Sequence, residues 1–254
     1  MRMASQDQAQ VFTTTPWSIV LILGLMTGCV WPQLSEPNTQ LMREEGFFES
    51  VVETMVEVPS GAFNLEADEE SLDQHGGSTP KELDAFRISR NQISVAQYEL
   101  FHEARSQRQS GVARSEADGS LPATVTWEEA RAYAQWASEL SGLSLRLPTE
   151  LEWVYVASAG GAFTHRTQFD SHPWGLQNMH GVAWEWVADC FDTRAILGQA
   201  GEPSGDRCET SKRVLRGGGF LPFAALTSIT NRTSGSTENP LHQFGFRLVL
   251  DSTP

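Results

Sequence analysis

Between Val125 and Ala157 the chain reads VTWEEARAYAQWASELSGLSLRLPTELEWVYVA, and this segment constrains the fold more than any other. Thr126 can cap a helix, and Glu129, three positions on, completes a capping box. Ala130, Tyr133, Ala134, Trp136 and Ala137 then form an apolar stripe at helical spacing. Gly142 ends that helix. Pro148-Thr149 opens a second helix, with Thr149 as cap and Glu152 as its box partner. The rest of the chain gives shorter signals. Val52 to Phe63 alternates apolar and polar before a Pro-Ser-Gly turn and predicts a strand and hairpin. Leu83 to Ile93 alternates again, and Ser94 is placed to cap a helix carrying Tyr98, Leu100 and Phe101. Beyond Gly160 the pattern changes to glycines, aromatics and turn residues with short strands. No internal repeat or low-complexity tract is visible, which predicts one domain.

The chain is long enough, at 254 residues with 40% hydrophobic content, to bury a sizeable core. Its 18 basic against 32 acidic residues give a net charge of -14. That charge repels phosphate backbones, so nucleic acid is not an expected partner.

The first residues are of different material. Trp17 to Met26, WSIVLILGLM, is an apolar run of about ten residues, too short for the roughly twenty of a membrane-spanning helix. It suits the hydrophobic region of a signal peptide. Leu25-Met26-Thr27-Gly28-Cys29 follows and resembles a bacterial lipobox, with Met26 where Leu is usual. The resemblance implies a lipoprotein signal peptide over residues 1–28, lipidation at Cys29, and anchoring in a bacterial cell envelope. Val30 after the cysteine implies the outer membrane in a Gram-negative host. Residues 29–50 are polar and aperiodic, as expected of a flexible tether, and the domain is placed at 51–254. In an oxidising compartment Cys190 and Cys208, 18 positions apart, are a reasonable disulfide pair worth about 3 kcal/mol. Two inert thiols are the alternative.

Four segments in order point to one family: FRISRNQISVAQY (Phe86 to Tyr98), the Val125 to Ala157 segment, GLQNMHGVAWEWVAD (Gly175 to Asp189), and RVLRGGG (Arg213 to Gly219) closing with FGFRLVL (Phe244 to Leu250). Together they resemble the sulfatase-modifying-factor family. The resemblance covers about residues 51 to 250. It implies an α+β fold, the formylglycine-generating-enzyme variant of the C-type lectin fold, with two main helices, small twisted antiparallel sheets and long loops. Most motif residues then have structural work: Arg146 and Arg247 pair with carboxylates among Glu150, Glu152 and Glu185, and Trp153, Trp184 and Trp186 are core aromatics.

Formylglycine-generating members oxidise a substrate cysteine with a copper-binding cysteine pair, five residues apart, after an RGGS segment. Thiolates are needed because they are soft ligands for Cu(I). Laid on RGGG, those positions are Pro222 and Thr227, so no copper is expected and the oxidase is disfavoured. The family's calcium segment maps onto Asn178 through its amide, Met179, Gly181 and Ala183 through their carbonyls, and Glu185 through its carboxylate, with Val182 where Asn is usual. One calcium ion there, or a metal-free salt bridge of Glu185, are the two readings. A second calcium segment is deleted after Trp174-Gly175, which leaves a shallower groove.

The expectation is therefore a non-catalytic binding module on an envelope lipoprotein. Its 220–242 region would meet a protein, peptide or glycan through Phe220, Leu221, Phe223, Leu226, Thr227, Asn231 and Arg232, and the lipid would meet the membrane. Two alternatives stay open. One is the formylglycine-generating oxidase acting on sulfatase cysteine. The other is a variable surface protein diversified by a retroelement, whose frame RVLRGG…A…NR…GFRLVL matches Arg213 to Gly218, Ala224, Asn231-Arg232 and Gly245 to Leu250. The apolar residues after RGGG either fill the vacated groove or face a partner.

Overall fold

Both capping boxes form, and with them the two helices that carry the rest of the domain. In helix α2 (Trp127–Ser141) the Thr126 amide donates to Glu129 Oε2 at 2.9 Å and the Glu129 amide donates to Thr126 Oγ1 at 3.3 Å. Gly142 ends it at φ 69°, a left-handed turn that glycine adopts without strain. In helix α3 (Glu150–Ala157) the same exchange joins Thr149 and Glu152, at 2.7 and 3.2 Å. Helix α1 (Val95–Ser106) is opened by Ser94, which exchanges bonds with Gln97 in the same way. The computed structural model describes residues 46–63, 81–106, 119–160, 172–192, 208, 210–219, 231–239, 241 and 243–251, all within the compact unit Pro37–Pro254.

Short strands complete the fold: β1 (Val56–Val58), β2 (Gly61–Phe63), β3 (Lys81–Leu83), β4 (Phe86–Ile88), β5 (Leu145–Arg146), β6 (Glu185–Cys190), β7 (Lys212–Arg216), β8 (Arg232–Ser236), β9 (Gly245–Phe246) and β10 (Val249–Asp251). One four-stranded sheet has the order β1-β4-β10-β5, a second β8-β7-β6-β9, and β2 pairs with β3 alone. Every pairing is antiparallel except β6 with β9. The last segment therefore stitches the molecule together, because β9 belongs to one sheet and β10, two residues later, to the other. This is the expected α+β architecture.

The Pro-Ser-Gly hairpin expected after β1 is absent. β1 pairs with β4, and β2 pairs with β3. Tyr155 holds the crossing between them: its hydroxyl donates to Pro59 O at 3.0 Å and lies where a side chain at Gly61 would stand. The packed chain also starts before the expected boundary at residue 51. Phe47 is 0% exposed and packs edge-on against Trp136 at 5.5 Å, so the polar look of residues 29–50 hides an anchor at their end. Phe48–Val52 forms a π-helical turn closed by the Glu53 amide on Phe48 O at 2.9 Å. Cys29 and the whole signal segment lie outside the described residues. Among the described residues no helix is long and apolar enough to cross a membrane.

Two buried clusters make the core. One joins α1, α2 and the π-turn to Trp186, Leu215 and Phe246; the other surrounds Trp153 with residues of β1, β4, β10 and α3. Trp186 packs over β8 at Gly235, where any β-carbon would overlap its ring.

Candidate functional site

Glu185 begins β6 with its side chain 0% exposed. Burying a carboxylate there requires that each oxygen be satisfied. Oε1 accepts from Gln92 Nε2 at 2.8 Å, Oε2 accepts from Trp153 Nε1 at 2.9 Å, and Arg247 Nε reaches both at 3.0 and 2.9 Å. The rest of the Arg247 guanidinium donates to backbone carbonyls: Nη1 to Ser89 O and Arg90 O, Nη2 to Gln177 O at 2.7 Å. A single ion pair thus locks the β9–β10 link to β6, to the residues after β4 and to the loop before β6.

The proposed calcium donors surround this pair. Asn178 sits at φ 57°, and its amide nitrogen donates to Asn91 Oδ1 at 3.2 Å. The carbonyls of Met179 and Ala183 converge: a β-carbon on Gly217 would meet them at 3.3 and 3.5 Å. Ala183 O, however, already accepts from Gln92 Nε2 at 3.1 Å, and Glu185 holds protein donors at both oxygens. Gly181 takes φ 76° at the turn. The neutral carbonyls suit a hard cation, but the carboxylate that would pay its charge is already spent on a guanidinium. The donor set does not fit calcium without displacing Gln92 and weakening Arg247. Beside it, burial first, then the Arg247 and His172 charges, push His180 down to about 4, so the loop is neutral at pH 7.

A second carboxylate, Glu150, begins α3 and is also buried, but it takes two arginines. Its Oε1 accepts from Arg216 Nε at 2.8 Å and Nη2 at 2.7 Å and from Arg232 Nε at 2.7 Å; Arg232 Nη2 reaches Oε2 at 3.2 Å. Arg216 ends β7 and Arg232 starts β8, so this cluster clamps both ends of the 217–231 segment. Arg232 is tied further, through Nη1 to Asp192 O at 3.0 Å and by its guanidinium over the Phe191 ring at 4.7 Å. Asp189 Oδ2 accepts from the Glu150 amide at 2.6 Å. Burial first, then the Glu150 and Glu152 charges, push Asp189 up to about 6, against that bond and Arg232.

The sequence reading named the right ions but not all the right partners. Arg146 pairs with Glu152 at 2.7 Å and Asp251, and Arg247 with Glu185, as expected of carboxylate partners. Glu150 goes instead to Arg216 and Arg232. Trp153 and Trp186 are fully buried, whereas Trp184 is half-buried beside Gly219. Asp189, Phe191, Asp192 and Gln92 were missed; the only available signal was their place beside the WEW and FRISRNQ motifs.

Of the expected ligand set, Phe220, Leu221, Phe223, Leu226 and Thr227 lie outside the described residues, as does Pro222, one of the two family copper positions. Asn231 offers its carbonyl to Arg216 Nη1 at 3.4 Å. Arg232, with its side chain 19% exposed, spends its fork on Glu150 and Asp192. These bonds tie the Arg232 fork to the protein's own acceptors. In the same region Leu241 is 86% exposed. Cys190 and Cys208 are joined in a disulfide with Cα atoms 5.4 Å apart.

A Streptomyces coelicolor formylglycine-generating enzyme is 29% identical over 169 residues, 50% of this chain and 52% of that enzyme. The match therefore spans about half of that enzyme's length. Among solved structures, PvdO from Pseudomonas aeruginosa shares the fold at TM-score 0.56 and 19% identity, over 78% of this chain and 94% of its own. Treponema denticola variable protein 1 shares it at TM-score 0.54 and 18% identity, over 77% and 94%. The family model described as sulfatase-modifying factor enzyme 1-like domain matches residues 44–168 and 163–252, and the chain belongs to that family.

Proposed function

We propose that this chain is a lipid-anchored envelope protein whose domain binds a protein, peptide or glycan ligand without oxidising it. The carrying observation is the fate of the cysteines. The two positions that hold copper thiolates in oxidising members are Pro222 and Thr227. The two cysteines beyond Cys29 are bonded to each other. Soft-metal chemistry needs a free thiolate pair, and proline or threonine supplies none. What supports binding is the pair of buried or partly buried arginines, Arg216 and Arg232, that Glu150 holds at the two ends of the 217–231 stretch, and the exposed Leu241. The test is ligand capture from glycan and peptide panels with the wild type and with Leu221→Asp, Phe223→Asp and Leu241→Asp. A ligand lost on these changes, with unaltered thermal unfolding, supports the reading; a ligand indifferent to all three contradicts it.

A second reading is favoured by the frame of fixed residues. Arg213, Arg216, Arg232 and Arg247 all have buried structural partners, as a retroelement-diversified scaffold needs around a variable segment. A template repeat and a reverse transcriptase at the locus support it, and their absence removes it.

A further inference from the structure

We propose that the Cys190–Cys208 disulfide is a substrate for thiol–disulfide exchange with an external dithiol, with Cys208 as the attacked sulfur and Cys190 as the leaving thiolate. Cys190 ends β6 directly opposite Arg213 of β7. There Arg213 Nη1 lies 3.6 Å from Cys190 Sγ. Arg213 is buried and held rigidly: the same nitrogen donates to Ala188 O at 2.7 Å, and the guanidinium stacks on the Trp127 ring at 3.8 Å. A fixed cation beside one sulfur stabilises the thiolate on that sulfur, and the lower-pKa thiol leaves faster in exchange. Both cysteines are half-buried and neither is sealed in the core.

The chemistry balances without any other reactant. A thiolate of the dithiol attacks Cys208 Sγ; the S–S bond breaks, its electron pair leaves on Cys190 Sγ, and a mixed disulfide remains on Cys208. The second thiol of the dithiol, after losing its proton to water, attacks its own partner sulfur and expels Cys208, which takes up a proton. The dithiol has lost two electrons and become a disulfide, and the chain holds two reduced cysteines.

The exchange acts on the candidate site. Phe191 and Asp192, the residues directly after Cys190, form the seat of Arg232 and hence of the Glu150 clamp. The bond ties this end of β6 to Cys208, shortly before β7. Reduction releases that tie while leaving the Glu185–Arg247 pair untouched.

The test uses the oxidised full chain with glutathione as a single-thiol probe and iodoacetamide as a cap, read by peptide mass spectrometry. The expected result is glutathione on Cys208 and the cap on Cys190. Arg213→Gln is expected to erode that preference and slow the reaction roughly threefold or more. After full reduction by dithiothreitol, amide exchange should quicken at Phe191 and Asp192 but not at Val249 and Leu250. Glutathione on Cys190, an even mixture, or no reaction at concentrations that reduce the unfolded chain would overturn the proposal. The wild-type trapping pattern decides it even if Arg213→Gln fails to fold.

Discussion

Two carboxylates open neighbouring elements of this fold, and they are neutralised differently. Glu185 faces one guanidinium, with the pair wholly buried and every remaining donor of Arg247 placed on a backbone carbonyl. Glu150 faces two guanidinia, one of them partly exposed, with Asp189 alongside. The first is a closed account of charges and hydrogen bonds that joins sheets. The second sets two guanidinia against Glu150 and Asp189, which balance in charge once Asp189 ionises above about pH 6, at the root of the segment expected to meet a ligand.

The largest effect belongs to the closed pair. Glu185→Gln leaves Arg247 buried without a countercharge and should cost about 3–5 kcal/mol, seen as a fall in Tm of roughly 2–4 °C per kcal/mol for a domain of this size. Glu150→Gln should cost less, about 1–3 kcal/mol, because Asp189 still acts as a countercharge to the buried Arg216 and Arg232 can turn toward water. Its larger consequence is expected in ligand capture, since both ends of the 217–231 segment lose their clamp. Equal destabilisation by the two changes would erase the distinction drawn between the nodes.

A smaller effect follows from Asp189. Its folded-state pKa, raised to about 6 from 3.8, favours the protonated form in the fold. That contribution is full below about pH 3.8 and is lost as pH rises through 6. The charged groups facing it are Glu150, Glu152, Arg232 and Arg216. Asp189→Asn should therefore flatten stability between pH 4 and 6 relative to wild type, measured by thermal unfolding across pH. The smallest expected effect is that of calcium. With Glu185 committed to Arg247, millimolar Ca²⁺ should leave Tm unchanged, whereas a saturable rise abolished by Asn178→Ala would restore the calcium reading of Asn178, Met179, Gly181, Ala183 and Glu185.

Local chemistry was legible before the structure. Thr126 with Glu129, Thr149 with Glu152, and Gly142 each act within four residues, and each behaves as its spacing demands. The partners of Arg146 and Arg247 were legible only as a choice among carboxylates, because Arg247 and Glu185 are 62 positions apart. Sheet order was not legible at all. β10 lies between β4 and β5, pairing Val249 with Ile88, and three-residue strands carry too little alternation to specify such a register. The hairpin after β1 failed for the same reason: a turn signal at Pro59 to Gly61 cannot show that Tyr155, far along the chain, holds the crossing.

The central claim, that this domain binds without oxidising, is tested most directly by offering the purified chain Cu(I), oxygen and a Cys-x-Pro-x-Arg peptide, with the disulfide intact and after its reduction. The account predicts no formylglycine product in either state. Formylglycine that accumulates in either state would contradict it, and its persistence in a Cys190→Ser, Cys208→Ser double variant would show that these two cysteines are not its source.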